Sequence, residues 1–166
     1  MKHSVLTLGD MDTTVARGVA SLDSAWRTIG GHDVDRPSGV LAFADLREDT
    51  RHSGKERLRA LASLAAVETK RHATIRHIVF AVTLAPRHAG AFDRVASGLG
   101  ARLHADVARD VEVTFLDVSG CGDVSTLTER LLDRCDDPVG QHGVVVLDWD
   151  DIRHHSIRRA ARDQYL

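Results

Sequence analysis

Five short apolar or β-branched runs are set along this chain with helical patterns between them, and that alternation constrains the fold more than any other feature. The runs are "SVLTL" (Ser4 to Leu8), "GVLAFADL" (Gly39 to Leu46), "HIVFAVTL" (His77 to Leu84), "VEVTFLDV" (Val111 to Val118) and "GVVVLDW" (Gly143 to Trp149). Each has the length and residue types of a strand. The third and fifth are almost continuously apolar, as strands covered on both faces are. Strand and helix in strict succession predict a layered α/β domain built on a mostly parallel five-stranded sheet.

The helical segments follow from spacing. Val15, Val19, Leu22, Trp26 and Ile29 recur on one helical face before Gly30 and Gly31. A second helix is expected from about Lys55 to Arg71, a third from Ala89 to Leu103, and a fourth after Cys121 with Val124, Leu127, Leu131 and Cys135 on one face. The polar stretch "LREDTRHSGKER" (Leu46 to Arg57) reads as a solvated loop leading into the second helix. The basic tail over residues 152–166 carries Ile152, Ile157, Ala160 and Ala161 and reads as a helix with a modest apolar stripe.

With 166 residues and 43% hydrophobic content, the chain suits one compact domain over 1–166. A formal charge of -2 gives no electrostatic case for nucleic acid or an anionic membrane, and no segment reaches the length of a membrane span. A cytoplasmic protein is expected. The two cysteines, Cys121 and Cys135, fall at opposite ends of one helix, about 18 Å apart at the usual rise, so both are expected as free thiols.

Cys121 stands between Gly120 and Gly122 where a strand pattern passes into a helical one. A helix start favours negative charge, so a thiol there is placed for nucleophilic chemistry. Flanking glycines permit a sharp turn and close approach of a substrate carbonyl to backbone N–H groups, an oxyanion role for Gly120 and Gly122. A small residue buried at a tight turn is the plainer alternative. Asp123 or Ser125 can cap the helix, and Asp123 so near a thiolate opposes its ionisation. Of ten histidines, His88, His104, His142, His154 and His155 lie near element ends, but none has a spacing that marks it as the base. The His154–His155 pair lacks companions at ligand spacing, so no metal is expected, and the absence of a glycine-rich phosphate fingerprint predicts no nucleotide cofactor. Asp148, Asp150 and Asp151 cluster where ligand sites of open α/β sheets lie, though such a run also suits a solvated edge.

The order of elements resembles the N-terminal half of thiolase-superfamily condensing enzymes, above all β-ketoacyl-acyl-carrier-protein synthases of the type III group. The residues that carry the resemblance are the Ala-rich "RLRALASLAAVE", the strand "HIVFAVTLA", "LGA" at Leu99 to Ala101, and "GC" at Gly120 and Cys121. It covers roughly Arg57 to Asp151 and implies that Cys121 is the acyl-accepting cysteine. The family's second half, which supplies the proton-handling groups, has no counterpart in this sequence.

Three functions therefore compete. In the first, the chain takes part in acyl-thioester transfer or condensation with a synthase-like partner or a second copy, acting on an acyl carrier protein or acyl-CoA thioester. The second is a non-catalytic accessory or scaffold subunit, and the third a small-ligand-binding α/β module unrelated to thiolases. On the first two, the helix face of Val124, Leu127 and Leu131 should be exposed for association, and the last strand should offer a sheet edge.

Overall fold

The computed structural model describes residues 4–22, 27–28, 36–140 and 143–165. All five strands read from the sequence are present: β1 (Val5–Gly9), β3 (Gly39–Asp45), β4 (His77–Thr83), β5 (Glu112–Asp117) and β6 (Val144–Asp148). A two-residue strand, β2 (Arg27–Thr28), adds a sixth outside β1. The sheet runs β2-β1-β3-β4-β5-β6, and every pairing is parallel. The helices are α1 (Thr14–Leu22), α2 (Arg51–Arg71), α3 (Ala89–Val107), α4 (Val124–Asp136), α5 (Trp149–Ile152) and α6 (Ile157–Asp163).

Alternation along each strand sends side chains to two separate cores. Val40, Ala42, Ile78, Phe80, Val113 and Phe115 face α2 and α3, where Leu58, Ala65, Phe92 and Leu99 meet them. Phe80 and Phe115 stack with centroids 4.3 Å apart, and Phe92 meets Phe115 edge-on at 6.4 Å. Leu41, Phe43, Val79, Ala81 and Leu116 face the other way, onto Val15 and Val19 of α1, Leu127 and Leu131 of α4, and Ile152, Ile157, Ala160 and Ala161 of the tail. Helices cover both faces, which is the doubly wound arrangement.

Three expectations need correction. The "LREDTRHSGKER" stretch is loop only in its first half, because α2 begins at Arg51, four residues before the expected start at Lys55. Thr50 caps the helix by accepting from Ser53 N, while Ser53 Oγ accepts from Thr50 N. Serine stands in for the usual Glu or Gln of such a box, and that hid it. Next, β6 is covered unevenly: Val145 and Leu147 are buried in the second core, whereas Val144 and Val146 pack against the first core and stay only partly buried. Finally, Leu127 and Leu131 are wholly buried beneath α1 and the tail, so the apolar face of α4 is not available for association.

The tail also reaches the sheet edge. Gln164 Nε2 donates to Val146 O at 2.7 Å, and Tyr165 Oη donates to Val144 O at 2.7 Å. The first helix pattern runs on to Ile29 in the sequence, but α1 ends at Leu22 and Arg27–Thr28 within that pattern form β2; Trp26, Ile29, Gly30 and Gly31 lie outside the described residues.

Candidate functional site

The chain leaves β1 toward β2 on one side and returns to β3 on the other, so the connections diverge at the C-terminal ends of β1 and β3. Helix α1, which follows β1, packs on one face of the sheet, and α2, which follows β3, packs on the opposite face. Divergence of this kind opens a crevice where open α/β sheets hold their ligands. A groove of about 620 Å³ lies there, lined among others by Asp10, Asp12, Asp45, Arg57, Thr83 and Cys121.

Its frame is built from strand ends. Gly9 closes β1 with φ at +87°, and a Cβ there would fall 2.1 Å from Phe43 O, so only glycine fits. The turn lets Asp10 N donate to Phe43 O at 2.8 Å and brings Asp10 Oδ2 to Asp45 N, also at 2.8 Å. Arg57 then ties three segments together: Nη2 donates to Asp10 Oδ2 at 2.5 Å, and Nη1 donates to Asp45 O at 2.9 Å and to Asp49 Oδ2. Burial works against the Arg57 charge, but the hydrogen bond to Asp49 and the field of Asp10 outweigh it and raise its pKa. On the next strand end, Arg47 forks onto both carboxylate oxygens of Asp45 at 2.9 and 2.6 Å and lowers its pKa. Ser119 Oγ bridges the last two strands of the groove, accepting from Leu84 N at 2.6 Å and donating to Asp117 Oδ1 at 2.5 Å.

Most groove carboxylates are thus already matched by a guanidinium or a hydroxyl. Asp12, Thr14, Arg17, Glu48 and Thr83 line the groove and make no side-chain hydrogen bond or ion pair with another described residue. They are the groups left to meet a ligand. Among the described residues no three His, Cys, Asp or Glu side chains converge with the geometry of a metal site.

Cys121 lies on the groove wall, partly buried, in the turn between β5 and α4. It precedes the N-cap Asp123 by two residues, and its N–H donates to Val118 O at 3.0 Å. Burial pushes the thiol pKa up; a backbone hydrogen bond from Asp123 pulls it down, and the Asp123 charge raises it again. Asp123 itself stays ionised, held low by Thr126, whose Oγ1 and N donate to it at 2.6 and 3.1 Å. The thiol at this helix start is therefore less acidic than a free one. Gly120 and Gly122 flank it without positive φ, and a Cβ at either position would meet nothing within 4 Å. The turn does not require glycine at those positions.

His88, His104, His154 and His155 are not among the residues lining the groove, and His142 lies outside the described residues. Asp148 and Asp151 form a reciprocal cap on α5, each accepting from the other's N–H at 2.9 to 3.0 Å. That explains the acidic run after β6 as helix capping. The free thiols expected at Cys121 and Cys135 are found, the latter fully buried in the second core.

Sequence reasoning passed over Asp10, Asp45 and Arg57. A signal was present: "LGD", "FAD" and "FLD" each place an aspartate at or just beyond the end of a strand, and parallel pairing brings such residues to one end of the sheet. Among the described residues no helix is long and apolar enough to cross a membrane. No protein-family model, curated protein or solved structure matches this chain.

Proposed function

We propose that this chain is a self-contained, doubly wound α/β module that binds a small polar molecule in the groove at the C-terminal ends of β1, β3, β4 and β5. The observation that carries this reading is the Asp10–Arg57–Asp49 bridge beside unpartnered Asp12, Arg17 and Thr83 at the point where the strand order reverses. A cross-braced frame holds the donor and acceptor positions before a ligand arrives, which lowers the entropy cost of binding. The groove volume of about 620 Å³ is within the usual range for small-molecule sites. With Asp10, Asp45 and Asp49 matched by arginines and Asp12 and Glu48 left open beside Arg17, the groove favours an uncharged or zwitterionic hydrogen-bonding ligand over a bare anion.

Acyl-thioester chemistry at Cys121 is the second reading, favoured by the position of the thiol on the groove wall. Its raised pKa and the lack of a histidine among the described groove residues weigh against rapid nucleophilic attack. A panel of polyols, amino acids and nucleosides, followed by amide NMR, tests the first reading. Shifts should cluster at 9–14, 45–49 and 83, and weaken in Arg57→Gln. If no compound moves those amides, or Arg57→Gln binds equally well, the reading fails. Intact-mass analysis after incubation with acetyl-CoA and malonyl-CoA tests the second: a stoichiometric acyl adduct on Cys121 would favour it over the first.

A further inference from the structure

At the opposite end of the sheet, where the strands begin, a buried cluster of charge has no part in the groove. His77 opens β4 and Glu112 opens β5, and both are buried with Arg134 of α4 at 0%, 3% and 1% exposure. Arg134 Nη2 stands 3.0 Å from Glu112 Oε2, and Nη1 donates to Asp137 Oδ2 at 3.5 Å. Glu112 Oε1 accepts from Gly140 N at 3.0 Å, and His77 Nε2 bonds Asp137 O at 2.7 Å. Arg134 Nη2 is thus ion-paired with Glu112 without meeting it at a hydrogen-bond angle, and Nε has no partner among the described residues. Burying a guanidinium in that state is costly unless something completes its donor set.

Arg134 lines a pocket of about 460 Å³ with Glu112, Ser156 and three further arginines, Arg158, Arg159 and Arg162. Glu112 is the one acid among the lining residues, and it already faces Arg134. Arg159 and Arg162 reach Asp163 only at 3.8 and 3.6 Å, as exposed pairs of the kind that contribute little. The pocket therefore carries a surplus of planar donors. Guanidinium forks match tetrahedral oxyanions in geometry and charge.

We propose that this pocket, formed by Arg134, Arg158, Arg159 and Arg162 where α4 and α6 meet the start of β5, binds the phosphate group of a small phosphorylated molecule. The buried Arg134 supplies an unmatched Nε–H donor, and the exposed arginines of α6 supply charge around the entrance. A volume of about 460 Å³ exceeds what one phosphate fills, leaving room for the moiety that carries it. The site is separate from the switch-point groove and does not depend on what that groove binds.

The test uses the full chain with glycerol phosphate, inorganic phosphate and sodium chloride at matched ionic strength. Calorimetry should show saturable binding of glycerol phosphate, tighter than inorganic phosphate and absent with chloride. The Nε–Hε resonance of Arg134, followed by NMR, should move on binding. Arg158→Gln/Arg162→Gln, two exposed changes that leave the core untouched, should weaken binding about ten-fold or more, as expected for lost charge-assisted hydrogen bonds. The proposal is overturned if chloride reproduces the response, if the double variant binds as tightly as the parent, or if the shifts fall on the groove residues 9–14 while Arg134 is unmoved. Equal affinity for inorganic phosphate would restrict the site to the free ion and overturn the assignment to a phosphorylated molecule.

Discussion

Replacing Gly9 by alanine should be among the most damaging single-methyl changes available to this protein. Left-handed backbone at a residue with a Cβ costs about 1–2 kcal/mol. The new methyl would lie 2.1 Å from Phe43 O, a backbone atom that cannot rotate away, with Leu61 Cδ1 at 3.2 Å behind it. Relief requires the ends of β1 and β3 to separate, which breaks the 2.8 Å bond from Asp10 N to Phe43 O at a further cost of about 1 kcal/mol. The sum is about 2–3 kcal/mol, or a fall in Tm of about 4–12 °C for a chain of this size. Gly98 is the control: it is exposed inside α3, and a Cβ there meets nothing within 4 Å. Gly98→Ala should raise stability by about 0.8–1 kcal/mol through helix propensity alone. Urea denaturation followed by circular dichroism, with calorimetric Tm, measures both. If Gly9→Ala unfolds within about 0.5 kcal/mol of the parent, the left-handed turn and its clash do not constrain the groove as argued.

Two further outcomes follow from buried or shielded groups. Burial first, and then the Arg134 charge, lower the His77 pKa below the ordinary 6.5 despite the opposing Asp137 hydrogen bond and the charges of Glu112 and Asp136. The unfolded chain therefore takes up a proton near pH 6.5 that the folded chain refuses, and stability should decline as pH falls from about 6.5 toward 5. Denaturation midpoints across that interval in parent and His77→Gln measure this, and a parent slope no steeper than the variant's would contradict it. Cys121, whose pKa is raised by burial and by Asp123, should react with iodoacetamide at pH 7.5 more slowly than a free thiol, and Asp123→Asn should accelerate it. Alkylation faster than glutathione under the same conditions would show that the helix start activates the thiol after all.

The layered α/β class was legible because period-2 and period-3.6 patterns alternate along most of the chain, and the five strands read from the sequence differ from those observed by no more than one residue at either end, while the two-residue β2 went unread. What periodicity lacks is spatial order. Nothing in "SVLTL" or "GVLAFADL" says that these strands are neighbours, and the crevice exists only because they are. Arg57 illustrates the same limit: it looked like one charge in a solvated stretch, yet an early helix start at Arg51 turns it toward Asp10, 47 residues away in sequence. Cys121 drew notice through its flanking glycines, whose backbone turned out to be ordinary. Gly9, followed by a carboxylate, was the glycine that mattered. A local pattern cannot show which of two glycines will find a carbonyl oxygen against its Cα.

The side-chain bonds from Gln164 and Tyr165 to the outer carbonyls of β6 change what self-association through that edge would involve. An open edge recruits a second strand by simple addition, at a rate set by collision. Here an incoming strand must first evict the chain's own terminus, so pairing becomes an exchange of partners. Its rate is governed by how often the last turn lets go, and its gain is only the difference between the new ladder and the bonds surrendered. The same terminus that completes the second core thus works as a competitive inhibitor, held in cis, of sheet extension at β6.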